Sequence, residues 1–480
     1  MRIPKDELLS ILSQFNPWWR GEKIPDLPTW KRAAFNELLT WVLNPPALRA
    51  VMLSGPRQVG KTTLLMQAIH QLIEEGISSK NILYISFDHP IFKITSLDAI
   101  LEAWRELEPK TEGPEYLFLD EAQFIPDFGT WIKHQVDFSK HRRIIFTGSA
   151  TPIIEIEPES GVGRWHAIKI STLSFNEYLQ IKKIDIPNIP ILPHVSDLFG
   201  YSKAQLLRIS EGAQSLIGHF HEYLVHGGFP QTALIDSVSQ AQRLLREDII
   251  DKVLKRDMTA LFGVRRVLEL EQTFIFLCMH DGGLHDPTAI SVNLGVTKPT
   301  VQNFIHLLES AHLVYRLPPF GYGKEVLRAR YKLYLADPAI ASAILMKGKT
   351  VLEDSKLLSV AVETAVFTHL SAHNASSHQH RLSYWRGSKN KEVDFIVEGE
   401  GSLIPIEVKY HSQITQSKHV QGLAQFSSQK DRKNHSLVLT KSHIDLGILE
   451  NMPSHVMRIP SSIFCYWVGQ AEISGRNILT

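Results

Sequence analysis

Cysteine is nearly missing from this sequence: Cys278 and Cys465 are the only two among 480 residues. Two thiols cannot build a disulfide framework or a cysteine-based zinc site, which fits a reducing compartment. An excess of one charge is missing too. Against 51 Lys and Arg stand 50 Asp and Glu, a net charge of +1. That excludes a globally basic nucleic-acid binder, so any DNA contact must come from local patches. No apolar run reaches the roughly 18 residues of a membrane span. The start, Met1-Arg2-Ile3-Pro4-Lys5-Asp6-Glu7, has no signal-peptide core, so a cytoplasmic protein without membrane contact is expected. What remains is a chain of ordinary apolar content, 44% hydrophobic, too long for one core.

The most informative run is Gly55, Pro56, Arg57, Gln58, Val59, Gly60, Lys61 and Thr62, with Thr63 following. It matches the phosphate-loop pattern G-x-x-x-x-G-K-[ST] at every fixed position. Ala50–Leu53 before it reads as a buried strand and Thr62–Leu72 after it as a helix. Strand, loop and helix aim backbone N–H groups and a helix N-terminus at one point, the geometry that holds a phosphate. ATP with Mg²⁺ is the expected ligand: Lys61 would reach the β- and γ-phosphates, and the Thr62 hydroxyl would hold the metal.

Tyr116–Leu119 is a second apolar strand, ending in Asp120 and Glu121. Asp120 would support the Mg²⁺ shell and Glu121 would polarise the attacking water. The other reading, an acidic helix start favoured by the helix dipole, weakens once a phosphate loop precedes it. Arg142–Ser149 is a third such strand. In this kind of sheet it would lie beside the phosphate-loop strand, with Thr147 or Ser149 near the water or the γ-phosphate. A strand stopping at a Gly-Ser turn explains either residue equally well.

Along the chain, residues 1–48 read as a helical preface with its best helix at Trp30–Leu43. Residues 49–170 alternate short apolar runs with helical patterns, the mark of a parallel α/β sheet. Residues 171–265 are mostly helical, a lid on that core. Residues 266–345 carry a helix-turn-helix, with a Gly295 turn, a Thr297 N-cap, a second helix Val301–Ala311 and a wing strand from His312. Lys298, Thr300, Gln302 and Asn303 stand where base or phosphate contacts would arise, although such modules also serve as packing units.

Residues 350–480 open with a helix at Ser359–Leu370 and continue as hairpins. The Ser-rich piece His373–His380 reads as a solvated loop rather than a metal site. Glu392–Val397 and Leu403–Lys409 alternate as strands joined at Gly399–Ser402. Period-two geometry puts Glu407 and Lys409 on one face, and the hairpin can bring Asp394 to them. Two carboxylates plus a lysine suit a hard cation and a polarised water. A cross-strand ion pair on a solvated face needs no metal, and that reading stays open. Tyr384–Lys391 adds a local basic and aromatic patch that suits a nucleic-acid backbone.

The phosphate loop, Leu117-Phe118-Leu119-Asp120-Glu121-Ala122-Gln123 and Phe146-Thr147-Gly148-Ser149-Ala150 resemble prokaryotic AAA-type ATPases that carry a C-terminal domain of uncharacterised function. Gly163-Arg164, Leu173–Leu179 and Gly227–Pro230 extend the resemblance from about residue 30 to about 445. It implies an α/β multidomain protein: a P-loop AAA-type parallel sheet with a helical lid, a central winged helix, and a restriction-endonuclease-like α/β domain of the PD-(D/E)XK type. It also implies Arg164 as an arginine finger in cis or from a neighbouring subunit of a homo-oligomer, and Arg32 as an arginine placed before the loop. In the nuclease-like domain it implies Asp394, Glu407 and Glu363 at a metal, with Lys409 beside them. Two functions follow: an ATPase acting on DNA, with or without nuclease chemistry, or an ATP-dependent switch or scaffold that binds protein partners.

Overall fold

The computed structural model describes residues 4–109, 112–148, 163–185, 189–324, 326, 330–377, 379–399, 401–410, 420–429, 435–450, 452 and 455–479. The chain divides into two compact units, Met1–Ile170 and Ser171–Thr480.

In the first unit the alternating runs form β1 (Ala50–Ser54), β2 (Ile82–Ser86), β3 (Glu115–Asp120), β4 (Arg142–Gly148) and β5 (Trp165–Lys169). They pair in the order β2-β3-β4-β1-β5, every neighbour parallel. The apolar strands are buried because helices cover both faces of a parallel sheet. The strand order puts β4 between the phosphate-loop strand and the acidic strand. The C-terminal ends of all three therefore open on one edge.

The preface begins with a helix that the sequence pattern did not disclose, α1 (Lys5–Phe15). The expected helix at Trp30 starts only at Phe35, as α2 (Phe35–Leu43). Leu8 and Leu12 of α1 join the core under β2. The edge of β2 is closed by side chains. Asn16 Nδ2 donates to Tyr84 O at 3.0 Å, while Tyr84 N–H donates to Asn16 Oδ1 at 2.7 Å. The Trp18 and Trp19 indoles both donate to Ile82 O. An open edge strand would pair with other chains, and this segment prevents it.

The second unit contains helices over residues 203–262, then α3 (Val267–Met279), α4 (Pro287–Leu294), α5 (Lys298–Ser310) and the antiparallel ribbon β6 (Val314–Leu317) with β7 (Lys332–Leu335). Gly295 takes φ +64°, and the Thr297 hydroxyl caps α5 by accepting from Thr300 N–H. The long helix α6 (Ser355–Ser377) leads to β8 (Arg381–Arg386), β9 (Glu392–Glu398), β10 (Leu403–Lys409), β11 (Ser436–Thr440), β12 (Gly447–Leu449) and β13 (Val456–Pro460). These form a mixed sheet in the order β12-β13-β11-β10-β9-β8, antiparallel from β8 to β10 and parallel from β10 to β13 except for β12. The helix α6 overruns the expected end at Leu370 because His373 is buried at 1% exposure rather than solvated.

Candidate functional sites

The phosphate loop leaves β1 at Ser54. Gly55 is required by a close approach: a Cβ there would lie 2.0 Å from Ile170 O, and Ile170 N–H donates to Ser54 O at 2.7 Å. Gln58 and Gly60 have φ of +62° and +95°, turns that fold the loop back over the following helix, Lys61–Glu74. That helix has no side-chain cap at Gly60, and its N-terminus opens onto the loop. Here an anion is favoured by both the N–H groups and the helix dipole. The buried Lys61 ammonium donates to Gly55 O at 2.9 Å and Pro56 O at 2.7 Å, which holds the loop in its curved shape. Arg32 Nη1 donates to Val59 O at 2.9 Å and so ties the preface to the same loop.

Asp120, at the end of β3, is 3% exposed. Its Oδ2 accepts from Thr62 Oγ1 at 2.7 Å and from Tyr84 OH at 3.0 Å, and its Oδ1 accepts from Thr147 Oγ1. Burial, and then the neighbouring Glu121, push its carboxyl above the usual range, while the three hydroxyls pull it back. The Glu121 backbone is in the left-handed region at φ +55°, ψ +45°, which costs about 1 kcal/mol for a residue with a Cβ. Its N–H donates to Thr147 Oγ1 at 2.8 Å and its carboxylate accepts from the Gln123 amide. Thr62 and Asp120 thus stand together at the helix start, and both are oxygen donors of the kind Mg²⁺ takes. ATP fits the same place, with its phosphates on the helix N-terminus.

Thr147 has a different place from the one expected. It is fully buried and orients Asp120 and Glu121 rather than facing a phosphate. Ser149 lies outside the described residues. Tyr84 gave no sequence signal, because a tyrosine in an apolar strand looks like core.

Arg164, expected as an arginine finger in cis or from a neighbouring subunit, has a defined place in the sheet. It immediately precedes β5, and its carbonyl accepts from Ala50 N–H at the first residue of β1. It therefore sits at the N-terminal edge of the sheet, while the phosphate loop leaves the C-terminal edge. Five residues of strand separate the two edges, about 15 Å. Its guanidinium pairs with Asp137 at 3.1 Å. There it stands at the sheet edge opposite to its own phosphate loop.

In the second unit the resemblance residues form a structural knot. Ser174 and Glu177 make a capping box for the helix Phe175–Ile181. Leu173 N–H donates to Gly228 O at 2.6 Å, and Gly228 N–H donates to Asp337 Oδ2 at 2.6 Å. Asp337 also accepts from Ala339 N–H, is fully buried, and burial pushes its carboxyl up to about 6.

The C-terminal residues do converge. Lys409 Nζ lies 2.8 Å from Glu407 Oε1, and Asp394 Oδ2 accepts from Val408 N–H at 2.8 Å. Burial pushes the Glu407 carboxyl up to about 7. Glu363 on α6 feels the charge of Asp394. At the centre is a residue that sequence reasoning missed. Lys332 on β7 is 3% exposed, and its ammonium lies 3.5 Å from Glu363 Oε1 and 3.7 Å from Asp394 Oδ1 and also pairs with Glu392. The only signal was a lysine inside the apolar run Tyr331–Leu335, costly to bury unless paired. Among the described residues no group of three or more His, Cys, Asp or Glu side chains is arranged to hold a metal ion.

Residues 48–179 match the model of the AAA domain, and residues 217–350 and 360–461 match two domains of unknown function. An uncharacterized protein of Haemophilus influenzae is 26% identical over 368 residues, covering 75% of this chain and 82% of the relative. One from Methanocaldococcus jannaschii is 24% identical over 362 residues, covering 74% and 73%. Among solved structures, Aeropyrum pernix ORC1 in complex with DNA gives a TM-score of 0.30 at 13% identity, covering 67% of this chain and 95% of that one. AMPPCP-bound DnaA from Aquifex aeolicus gives 0.25 at 14% identity, covering 60% and 92%. At such scores these likenesses say nothing of activity. Residues 48–179 are thus similar to the AAA domain, and the parallel sheet with its phosphate loop fits that likeness. No helix among the described residues is long and apolar enough to cross a membrane.

Proposed function

We propose that this protein binds ATP with Mg²⁺ at Gly55–Thr63 and hydrolyses it. The observation that carries this reading is the meeting of Thr62 and Asp120 at an uncapped helix N-terminus. Residues 55–63 cradle the phosphates, Lys61 turns from the loop carbonyls to the β- and γ-phosphates, and Thr62 with Asp120 holds the metal. Mg²⁺ supplies charge neutralisation on the phosphates. Glu121, aimed by Thr147, takes the attacking water. Because Arg164 stands at the far edge of its own sheet, it serves the nucleotide of a second copy, and the active form is a homo-oligomer.

The second unit handles DNA. The segment 266–345 acts as a winged helix, supported by the α4–Gly295–α5 turn and the β6–β7 ribbon. Residues 350–480 act as a restriction-endonuclease-like domain, supported by Asp394, Glu407 and Lys409 on one hairpin beside Glu363. With a divalent cation bound, Asp394, Glu407 and Glu363 would be its ligands and Lys409 would stabilise charge on a phosphodiester. The alternative, an ATP-ordered scaffold for protein partners, is favoured by Lys332, which already fills the carboxylate cluster with a cation.

The test is the ATPase rate with and without single-stranded, duplex and branched DNA, together with metal-dependent cleavage of each. The expected result is stimulation by one form and cleavage lost in Asp394→Ala. ATPase activity surviving Lys61→Ala sinks the first claim. Intact DNA under every metal, with no stimulation, leaves the scaffold.

A further inference from the structure

We infer that Arg49 and Arg143 form with Arg164 a row of three arginines that grips the triphosphate held by a second copy of this chain. This rests on the reading that Arg164 serves a second copy, and it adds two residues that no motif marks. In the register of the first sheet Val51 faces Ile145 and Ala50 faces Trp165. Followed back toward the strand starts, that register sets Arg143, Arg49 and Arg164 side by side, with about 4.8 Å between neighbouring strands. All three lie on the side covered by the helix Phe128–Phe138. Arg49 and Arg143 line a cleft with its Gln135 and with Ser139, and Arg164 pairs with its Asp137.

The cleft carries one sign of charge. Arg49, Lys140, Arg142 and Arg143 line it and no Asp or Glu does, in a chain whose net charge is only +1. Arg142 is committed to the buried Glu115, at 2.8 Å. Among the described residues Arg49, Lys140 and Arg143 have no carboxylate partner. A helix C-terminus attracts cations, and Lys140, just past the end of Phe128–Phe138, answers to that alone. Arg143 does not. Its Nη1 donates to Lys140 O at 3.4 Å, while its Nε is buried with no acceptor. An arginine that no carboxylate neutralises and no acceptor satisfies weakens its own fold, and a ligand is the reason to keep it.

A phosphate chain is the anion that suits the row, because a guanidinium meets phosphate oxygens with paired N–H donors. The phosphate loop opens at the opposite edge of the same sheet, with Asp120 and Glu121 beside it. Once ATP is bound, one edge is acidic and the other basic, and the two are complementary between copies. Joined head to tail, each copy gives its row to one neighbour and takes a row from another. Such a heterologous contact closes as a ring or runs on as a filament. A nucleic-acid strand also offers phosphates, but Arg164 in the same row already serves the nucleotide, and one row serves one phosphate chain.

The experiment is the ATPase rate of the full chain carrying Arg49→Ala and Arg143→Ala together. This double variant is expected to hydrolyse ATP at least tenfold more slowly than the parent, with its own ATP affinity within a few fold. Mixed with Lys61→Ala, which keeps the row and loses the nucleotide, it is expected to recover activity. A merely structural defect is not repaired by adding an inactive protein. Should the double variant lose its thermal unfolding transition, Arg49→Glu, a change at an exposed residue, is expected to show the same loss and the same recovery. A parent-like rate, or a slow rate that mixing leaves unrepaired, overturns the inference. If Arg164→Ala recovers on mixing with Lys61→Ala and these variants do not, only the row falls. If none recovers, the reading of Arg164 falls with it. Loss of single-stranded DNA binding at a parent-like ATPase rate gives the row to nucleic acid and also overturns the inference.

Discussion

Thr62 Oγ1 donates to Asp120 Oδ2 at 2.7 Å, although 58 positions separate them in sequence. The contact joins the first turn of the phosphate-loop helix to the end of β3, across the intervening β4. Tyr84 and Thr147 complete the grip on the same carboxylate. Asp120 is thus fixed before any nucleotide arrives, and a fixed ligand loses little freedom on binding.

Tyr84→Phe removes one hydroxyl from Asp120 and leaves the ring in the core. The expected cost is about 1 kcal/mol of stability, with ATP affinity within a few fold of the parent. Thr147→Val removes the donor to Asp120 and the acceptor for Glu121 N–H together. The hydrolysis rate should fall by tenfold or more, with ATP binding retained. Equal rates for Thr147→Val and the parent in a single-turnover assay would show that Thr147 does not orient Glu121.

Gly55→Ala places a methyl 2.0 Å from Ile170 O, a backbone atom that cannot step aside. The loop must shift, and β5 with it. A loss of several kcal/mol in thermal unfolding is expected, along with loss of ATP binding. A variant that binds ATP normally at the parent's melting temperature would refute this account of the close approach.

Arg164→Ala should lower the hydrolysis rate by at least 100-fold with little change in nucleotide affinity. The decisive measurement is mixing. Lys61→Ala keeps the arginine and loses the site, and Arg164→Ala keeps the site and loses the arginine. Mixed in equal amounts, the two inactive proteins should recover ATPase activity. No recovery, under conditions where subunits exchange, rules out action on a second copy.

Asp337 carries a pH signature. Burial raises its folded carboxyl to about 6, above the ordinary value near 4 in an unfolded chain. Between those values the folded state holds the extra proton, so its contribution to stability is greatest below about pH 4. It is lost as pH rises to about 6, then stays level. Asp337→Asn should be less stable throughout, because an amide N–H₂ meets a backbone N–H of Gly228 or Ala339. The stability gap between parent and variant should shrink by about 1–3 kcal/mol from pH 4 to pH 7. A gap independent of pH, measured by denaturant unfolding, contradicts the raised carboxyl.

The phosphate loop was legible because strand, loop and helix are consecutive. Gly55, Gly60, Lys61 and Thr62 each answer to a local demand of turn geometry or charge. The strands were legible for the same reason, as apolar runs in a sheet covered on both faces. The α1 helix was not, since only Leu8 and Leu12 of its residues are buried, too few to mark a period. Nor was the helical burial of His373, because a polar residue in a Ser-rich stretch reads as solvated until its neighbours are known. On the C-terminal hairpin, Asp394, Glu407 and Lys409 were readable from period-two alternation, while Lys332 was out of reach more than sixty residues upstream.

By itself the sequence determined the phosphate-binding turn, the two carboxylates at the end of β3, and the hairpin that carries Glu407 beside Lys409. All of these arise from bonds and periodicities within about a dozen residues. The tertiary structure decided which distant groups share those sites. The parallel strand order put Tyr84 and Thr147 on Asp120 and sent Arg164 to the opposite edge from its own loop. The packing of β7 against α6 and β9 buried an ammonium among three carboxylates. The physical reason is that a strand's direction and its neighbours fix which end of a side-chain row meets which. Those neighbours are chosen by the burial of the whole sheet, not by any local run.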